Sequence, residues 1–176
     1  MIKRWFQRRE APRLQVLMVC MGNLCRSPMA KAVLSAKLEQ AGLAGQVAVD
    51  SAGTHGFHPG ALPDPRGVAQ AARRGYRLAG IKSRRLVAAD FSRFDLLLAM
   101  DSDNLVTLRE RCPPEDQFRL GLLLHFSANL APNPATLDVP DPYYGSAADF
   151  DHALDLIEPA CDGLLSALQR RLAASD

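Results

Sequence analysis

The segment Leu14 to Cys20 is apolar at every position but Gln15, and the chain passes from it directly into Met21-Gly22-Asn23-Leu24-Cys25-Arg26-Ser27-Pro28. A near-continuous apolar run reads as a strand covered on both faces, which places it centrally in a parallel sheet. Ser27-Pro28 then opens a helix, because proline is tolerated at a first helical position, and Met29, Val33, Leu34 and Leu38 recur at helical spacing before Gly42 ends it. Gln46 to Ala52 reads as a second strand. Asp64-Pro65-Arg66 starts a helix that Gly75 closes, and Asp95 to Met100 is a third strand around Leu96-Leu97-Leu98-Ala99.

Asp101 to Glu110 is expected to be helical, and Phe118 to Leu124 to be the fourth strand. The long connection that follows holds Pro132, Pro134, Pro140 and Pro142, which rule out a regular element; such a connection in a compact domain is usually functional. The last helix should run from Ser146 to Ala173 with Phe150, Leu154, Ile157, Leu164, Leu165 and Leu168 as its core side and a break near Pro159. The expected fold is α/β, a doubly wound, four-stranded parallel sheet flanked by helices, with active loops at the carboxyl ends of its strands.

A chain of 176 residues, 48% of them hydrophobic, is one domain with a substantial core. No apolar run approaches the ~20 residues of a membrane span, so stable membrane insertion is not expected. The net charge of +2 comes from a basic leader, residues 1–13, where Lys3, Arg4, Arg8, Arg9 and Arg13 face only Glu10. The body, residues 14–176, is therefore not a basic nucleic-acid binder. The leader lacks the apolar stretch of a secretory signal and reads as a cytoplasmic, poorly ordered segment; Trp5 and Phe6 could touch an anionic membrane surface or a partner, but a solvated tail is the plainer reading. Cysteines at 20, 25, 112 and 161 have neither CxxC nor Cys/His spacing, so neither a metal nor a disulfide framework is expected.

Cys20 and Arg26 carry the chemistry. A cysteine leaving a strand, a tight Gly22-Asn23 turn and an arginine at a helix start gather a thiol, several backbone N–H groups and a guanidinium around one point. Helix-start N–H groups accept an oxyanion, and a guanidinium fork matches two phosphate oxygens at once. The same positive field favours a thiolate nucleophile. Singly, Cys20 would be core, Arg26 a solvated helix-start residue and Gly22-Asn23 an ordinary turn. Together, Met21 to Ser27 form a phosphate-binding loop after the first strand.

A thiolate attacking a phosphate ester needs the leaving oxygen protonated. Asp141, in Val139-Pro140-Asp141-Pro142-Tyr143-Tyr144-Gly145, is the best candidate donor: prolines stiffen its backbone and two aromatics could wall a cleft. Asp101 and Asp138 are the alternatives, and an aspartate between prolines is by type alone a turn former.

Cys20 to Pro28, Asp50-Ser51-Ala52-Gly53-Thr54, Met100-Asp101-Ser102-Asp103-Asn104 and Asp141-Pro142-Tyr143-Tyr144-Gly145 together resemble the low-molecular-weight protein tyrosine phosphatases of bacterial type, from about Leu14 to the last helix. The resemblance implies a catalytic domain over residues 14–176 that needs no cofactor. It implies that Cys20 attacks phosphorus, that Asp141 protonates the phenol and then serves as base for water, and that Arg26 and the loop N–H groups stabilise the phosphoryl charge. It further implies that Asn23 holds a left-handed backbone, that Ser27 offers its hydroxyl to the Cys20 sulfur, and that Phe57, where many relatives carry Trp, and Tyr143 wall the substrate ring; Leu24 and Tyr144 complete the cleft. Cys25 would be a redox partner of Cys20, and phosphotyrosine proteins the partners, a bacterial tyrosine autokinase of surface-polysaccharide export among them. The Tyr143-Tyr144 pair could itself be phosphorylated.

Three other readings share parts of this pattern. Arsenate reductases use the same Cys-x5-Arg loop, but relay electrons through cysteines that residues 80–100 lack and that Cys112 and Cys161 do not match. Protein arginine phosphatases tend to carry Thr where this chain has Leu24, and an apolar Leu24 suits a phenyl ring. A non-catalytic phosphotyrosine-binding module would need neither Cys20 nor Asp141.

Overall fold

A computed structural model of the chain describes residues 11–128 and 137–175. The basic segment 1–10, with Trp5 and Phe6, and Pro132 and Pro134 lie outside the described residues. The sheet has four strands, β1 (Leu14–Cys20), β2 (Val47–Gly53), β3 (Leu96–Ala99) and β4 (Leu120–Leu122), all parallel and in the order β2-β1-β3-β4. Five helices accompany them among the described residues: α1 (Arg26–Gln40), α2 (Pro65–Arg73), α3 (Ala88–Arg93), α4 (Ser102–Arg111) and α5 (Ala147–Ala173). This is the doubly wound α/β arrangement expected of the alternating pattern.

The all-apolar run takes the central place. β1 pairs with β2 from Leu14 against Val47 to Cys20 against Gly53, and on its other side with β3, and Val16, Leu17, Met18 and Val19 are fully buried. α1 and α2 pack on α5, while α4 lies against β3 and β4. The chain moves outward from β1 to β2 and then returns across it to β3. The carboxyl end of β1 is therefore the point where the winding reverses, and an open α/β sheet has its crevice at such a point. Cys20 is the last residue of that strand.

Helix ends obey local chemistry. Gly42 and Gly75 take φ of 70° and 86°, a conformation other residues resist, and so end α1 and α2 where the sequence predicts. Asp64 caps α2 by accepting the Arg66 N–H at 2.9 Å, and Asp101 caps α4 by accepting that of Asn104 at 2.6 Å.

Three expectations are corrected. The fourth strand is three residues long, not seven: Pro114–Arg119 and Leu123–Phe126 are 3-10 turns on either side of it. Phe118 is 77% exposed, with the Arg119 guanidinium 5.2 Å from its ring centroid, whereas Leu123 and Leu124 satisfy their burial under α5 without pairing. α3 lies in a stretch the sequence pattern left unassigned. No break occurs near Pro159, because α5 runs through it; Ile157, Ala160, Cys161 and Leu164 are fully buried on both sides, and that packing offsets the roughly 3 kcal/mol that an interior proline costs. Among the described residues, no helix is long and apolar enough to cross a membrane.

α5 also crosses the Leu123–Phe126 turn at very close range. A methyl group built on Gly163 would overlap the carbonyl oxygen of Phe126. Helix propensity alone would make Gly163→Ala stabilising by about 1 kcal/mol, but this backbone overlap outweighs it. The variant should lose about 1–3 kcal/mol in urea denaturation, and an unchanged or raised midpoint would contradict the close approach.

Candidate active site

Residues 21–25 leave the end of β1 and return as α1, and neighbouring segments brace every part of the turn. Thr54 N–H donates to Cys20 O and His55 N–H to Met21 O, both at 2.9 Å, and Ser83 Oγ donates to Gly22 O at 3.1 Å. Asn23 is the sole described non-glycine residue with positive φ, at 55°, and it is fully buried. Its side chain rewards that conformation twice: Oδ1 accepts the Arg84 N–H at 3.0 Å, and Nδ2 donates to Ser27 Oγ at 2.9 Å.

That second bond directs the Ser27 hydroxyl. With one lone pair of Oγ taken by Asn23, the hydroxyl hydrogen is left for Cys20 Sγ at 3.0 Å or Ala52 O at 3.4 Å. Toward a thiolate, which can only accept, Ser27 is the donor. α1 begins immediately behind it, with no side-chain cap on Cys25 and no acidic residue in its first turn, so its first N–H groups are not claimed by a neighbouring carboxylate.

Arg26 is 2% exposed and its guanidinium is held from one side. Nη1 donates to Asp101 Oδ2 at 2.5 Å and to Val139 O at 3.0 Å, and Nη2 donates to Asp141 Oδ2 at 2.8 Å. Burial works against its charge, but Cys20, Asp101 and Asp141 outweigh burial and hold its pKa above the ordinary value. Nε is buried without a partner among the described residues. A donor in that state is costly, and an anion at the loop would satisfy it.

Two loops raise walls above this floor. The cleft, about 380 Å³, is lined by Cys20, Met21, Gly22, Leu24, Cys25 and Arg26 below, by Phe57 and His58 from one loop, and by Asp141, Tyr143 and Tyr144 from another. Phe57 stacks on His55 at 5.1 Å between centroids, and Tyr143 meets Tyr144 edge-on at 4.9 Å. Cys25 shares the floor with Cys20. Burial first, then Cys20 and the carboxylates of Asp64 and Asp141, push its thiol up to about 12 against the opposing pull of Arg26.

Of the loop, catalytic and cleft residues assigned from the sequence, ten line the cleft, and Asn23 and Ser27 are buried beside it. Sequence reasoning missed the use of Asp101, which is not a second acid over the cleft but the anchor of Arg26. Asp138, the other alternative acid, instead accepts the Ser102 N–H and hydroxyl. It also missed His58 in the wall and Arg84 behind Asn23. The arginine carries an ion-pair network, with Asp50 at 3.0 Å and Asp90 at 2.9 Å, and Lys31 completes it on Asp50 at 2.9 Å. The basic, acidic and polar run around these positions carries no spacing that marks them. Among the described residues, no group of three or more His, Cys, Asp or Glu side chains could hold a metal ion.

Comparison with known proteins agrees with this geometry. The family model described as low molecular weight phosphotyrosine protein phosphatase matches residues 15–174. The chain is 43% identical over 159 residues to a low molecular weight protein-tyrosine-phosphatase of Streptomyces coelicolor, covering 90% of this chain and 95% of that protein. It is 36% identical over 160 residues to the protein of that description called YfkJ in Bacillus subtilis, covering 89% of this chain and 97% of that one. The crystal structure of an Entamoeba histolytica protein tyrosine phosphatase with Hepes in its active site superposes with a TM-score of 0.84 at 37% identity, over 89% of this chain and 97% of that one. By its length-wide sequence match, its sheet order and its loop after β1, the chain belongs to the low molecular weight phosphotyrosine protein phosphatase family.

Proposed function

We propose that this protein hydrolyses phosphotyrosine in proteins through a phosphocysteine intermediate. The observation that carries this reading is the convergence on one cleft of the Cys20 sulfur, 3.0 Å from the Ser27 hydroxyl, a buried Arg26 with an unpartnered Nε, and Asp141, whose Oδ2 accepts from Arg26 Nη2 at 2.8 Å. In the first step the Cys20 thiolate attacks phosphorus while the phenol oxygen departs and takes a proton from Asp141. In the second, water attacks the phosphocysteine with Asp141 as base, and the sulfur leaves as thiolate, a good leaving group beside the Ser27 hydroxyl. Arg26 Nε, the freed edge of Nη2 and the loop N–H groups carry the phosphoryl charge in both steps.

The walls favour an aryl ester. Leu24, Phe57 and Tyr143 present apolar surface around the space above the sulfur, as a phenyl ring requires. Residues 80–100 hold no cysteine, and Cys112 and Cys161 do not line the cleft, which disfavours arsenate reduction. A phosphorylated tyrosine autokinase is our proposed class of physiological substrate, and loss of its phosphotyrosine on incubation with the enzyme is the corresponding assay. Para-nitrophenyl phosphate should be turned over equally with and without EDTA. Turnover should vanish in Cys20→Ser, and turnover of phosphotyrosine should fall by roughly 10²-fold in Asp141→Asn. Phosphotyrosine peptides should be preferred to phosphoarginine peptides, and the converse preference, or no turnover by the folded, reduced protein, would overturn the reading.

We also propose that Cys25 is the resolving thiol for an oxidised Cys20. Peroxide converts the Cys20 thiolate to a sulfenic acid, and attack by Cys25 sulfur releases water and leaves a Cys20–Cys25 disulfide that external thiol reduces. With its pKa pushed up to about 12, Cys25 is a thiol at neutral pH, and oxidation of Cys20 removes one of the charges that keep it so. Iodoacetamide should therefore leave Cys25 unlabelled at pH 7 and label it increasingly as the pH climbs toward that value. Thiol should restore peroxide-treated wild type but not Cys25→Ser; full recovery of the variant would rule out the resolving role.

A further inference from the structure

The loop that carries Asp141 is held at its two ends by different parts of the fold. Before Asp141, Val139 N–H donates to Met100 O at 2.8 Å, and Asp138 accepts the Ser102 N–H and hydroxyl at 2.8 and 2.7 Å, which fixes that half to the end of β3 and the start of α4. Asp141 itself meets Arg26 Nη2 at 2.8 Å, and between Asp141 and the start of α5 one side chain ties the loop backbone to the body of the fold. Arg66 Nη2 donates to Tyr143 O at 2.9 Å, and Arg66 Nη1 donates to Gly145 O at 2.7 Å.

Arg66 is itself firmly mounted. Its Nε and Nη2 fork onto the Asp64 carboxylate at 3.0 and 2.8 Å, and its guanidinium lies 4.7 Å from the ring centroid of Phe150, which is fully buried. Asp64 in turn donates its backbone N–H to Leu24 O at 2.9 Å, a carbonyl of the phosphate-binding loop. The Asp64–Arg66 turn therefore touches the loop below the cleft with one end and the loop above it with the other. It sets the separation between them.

We propose that Arg66 is the positioning residue for the proton donor: by holding the carbonyls of Tyr143 and Gly145 against the Asp64 turn, it fixes where Asp141 stands over Cys20. The proposal rests on the reading of Asp141 as general acid. An error of about 1 Å in such placement costs on the order of 10²-fold in rate. The loss should fall chiefly on proton transfer, because Cys20 and Ser27 are held by other contacts and Arg26 keeps Asp101 and the Val139 carbonyl, on the half of the loop that Met100 and Ser102 fix. Lysine cannot replace Arg66, since a single ammonium cannot engage Asp64 and two carbonyls in one plane.

The test measures kcat and KM for wild type, Arg66→Ala, Arg66→Lys, Asp141→Asn and the Arg66→Ala/Asp141→Asn double variant on aryl phosphates ranging from acidic nitrophenols to tyrosine, whose phenol has a pKa of about 10. Both Arg66 variants should lose roughly 10²-fold in kcat/KM on phosphotyrosine, which reports the first phosphoryl transfer and not the later hydrolysis, while changing little in kcat/KM on the most acidic leaving groups, with inhibition by inorganic phosphate preserved. In the Asp141→Asn background, Arg66→Ala should change kcat/KM within about twofold. Arg66→Lys keeps a cation beside Asp64 and carries the test should Arg66→Ala not fold. A fall in kcat/KM uniform across leaving groups, a fall that multiplies with that of Asp141→Asn, or full activity of Arg66→Lys would overturn the proposal. A flat leaving-group dependence in Asp141→Asn alone would instead remove the general-acid reading, and the role of Arg66 with it.

Discussion

Arg26 lies at the base of the cleft with 2% of its surface in contact with solvent, and a cation so far from water requires compensation from its neighbours. Asp101 supplies it from the start of α4, and Asp141 and the Val139 carbonyl supply it from the loop before α5. One guanidinium thereby draws together three segments separated by 75 to 115 residues in the chain. The carboxylates occupy Nη1 and one side of Nη2. Nε is left buried without a partner among the described residues, and a phosphate in the cleft is the counter-ion that the proposed reaction would supply.

A chain of polar contacts leads from Arg84 to the Cys20 sulfur. Arg84 holds Asn23, Asn23 fills one lone pair of Ser27, and the Ser27 hydroxyl lies 3.0 Å from the sulfur. Cys25, five residues along, has burial and three negative neighbours and stays protonated. Two cysteines on the same cleft floor thus have different neighbours, a hydroxyl at Cys20 and carboxylates around Cys25.

Features governed by neighbours in sequence were readable from the chain alone. β1 announced itself because a strand covered on both faces must be apolar throughout, and Gly42 and Gly75 marked helix ends because only they relax there. The loop from Cys20 to Ser27 is contiguous, so its chemistry could be inferred from spacing. α3 escaped because six residues show no full period, and β4 was overestimated because 3-10 turns bury Leu123 and Leu124 as well as a strand would. Asp101 and Arg66 were harder still. Each has a complete local explanation, an N-cap and an ion pair two residues away, and the contacts that matter for the cleft lie 75 to 79 residues distant.

The first turn of α1 has neither a capping side chain nor an acidic residue, although helix starts are ordinarily finished by one or the other. A tetrahedral dianion seated in the loop would complete the helix as a serine or aspartate does elsewhere, so that occupancy and folding draw on the same set of N–H groups. At a hundredfold excess over Kd this linkage is worth about 2.7 kcal/mol. Under the proposed mechanism, each turnover would thereby cap and uncap the start of the first helix.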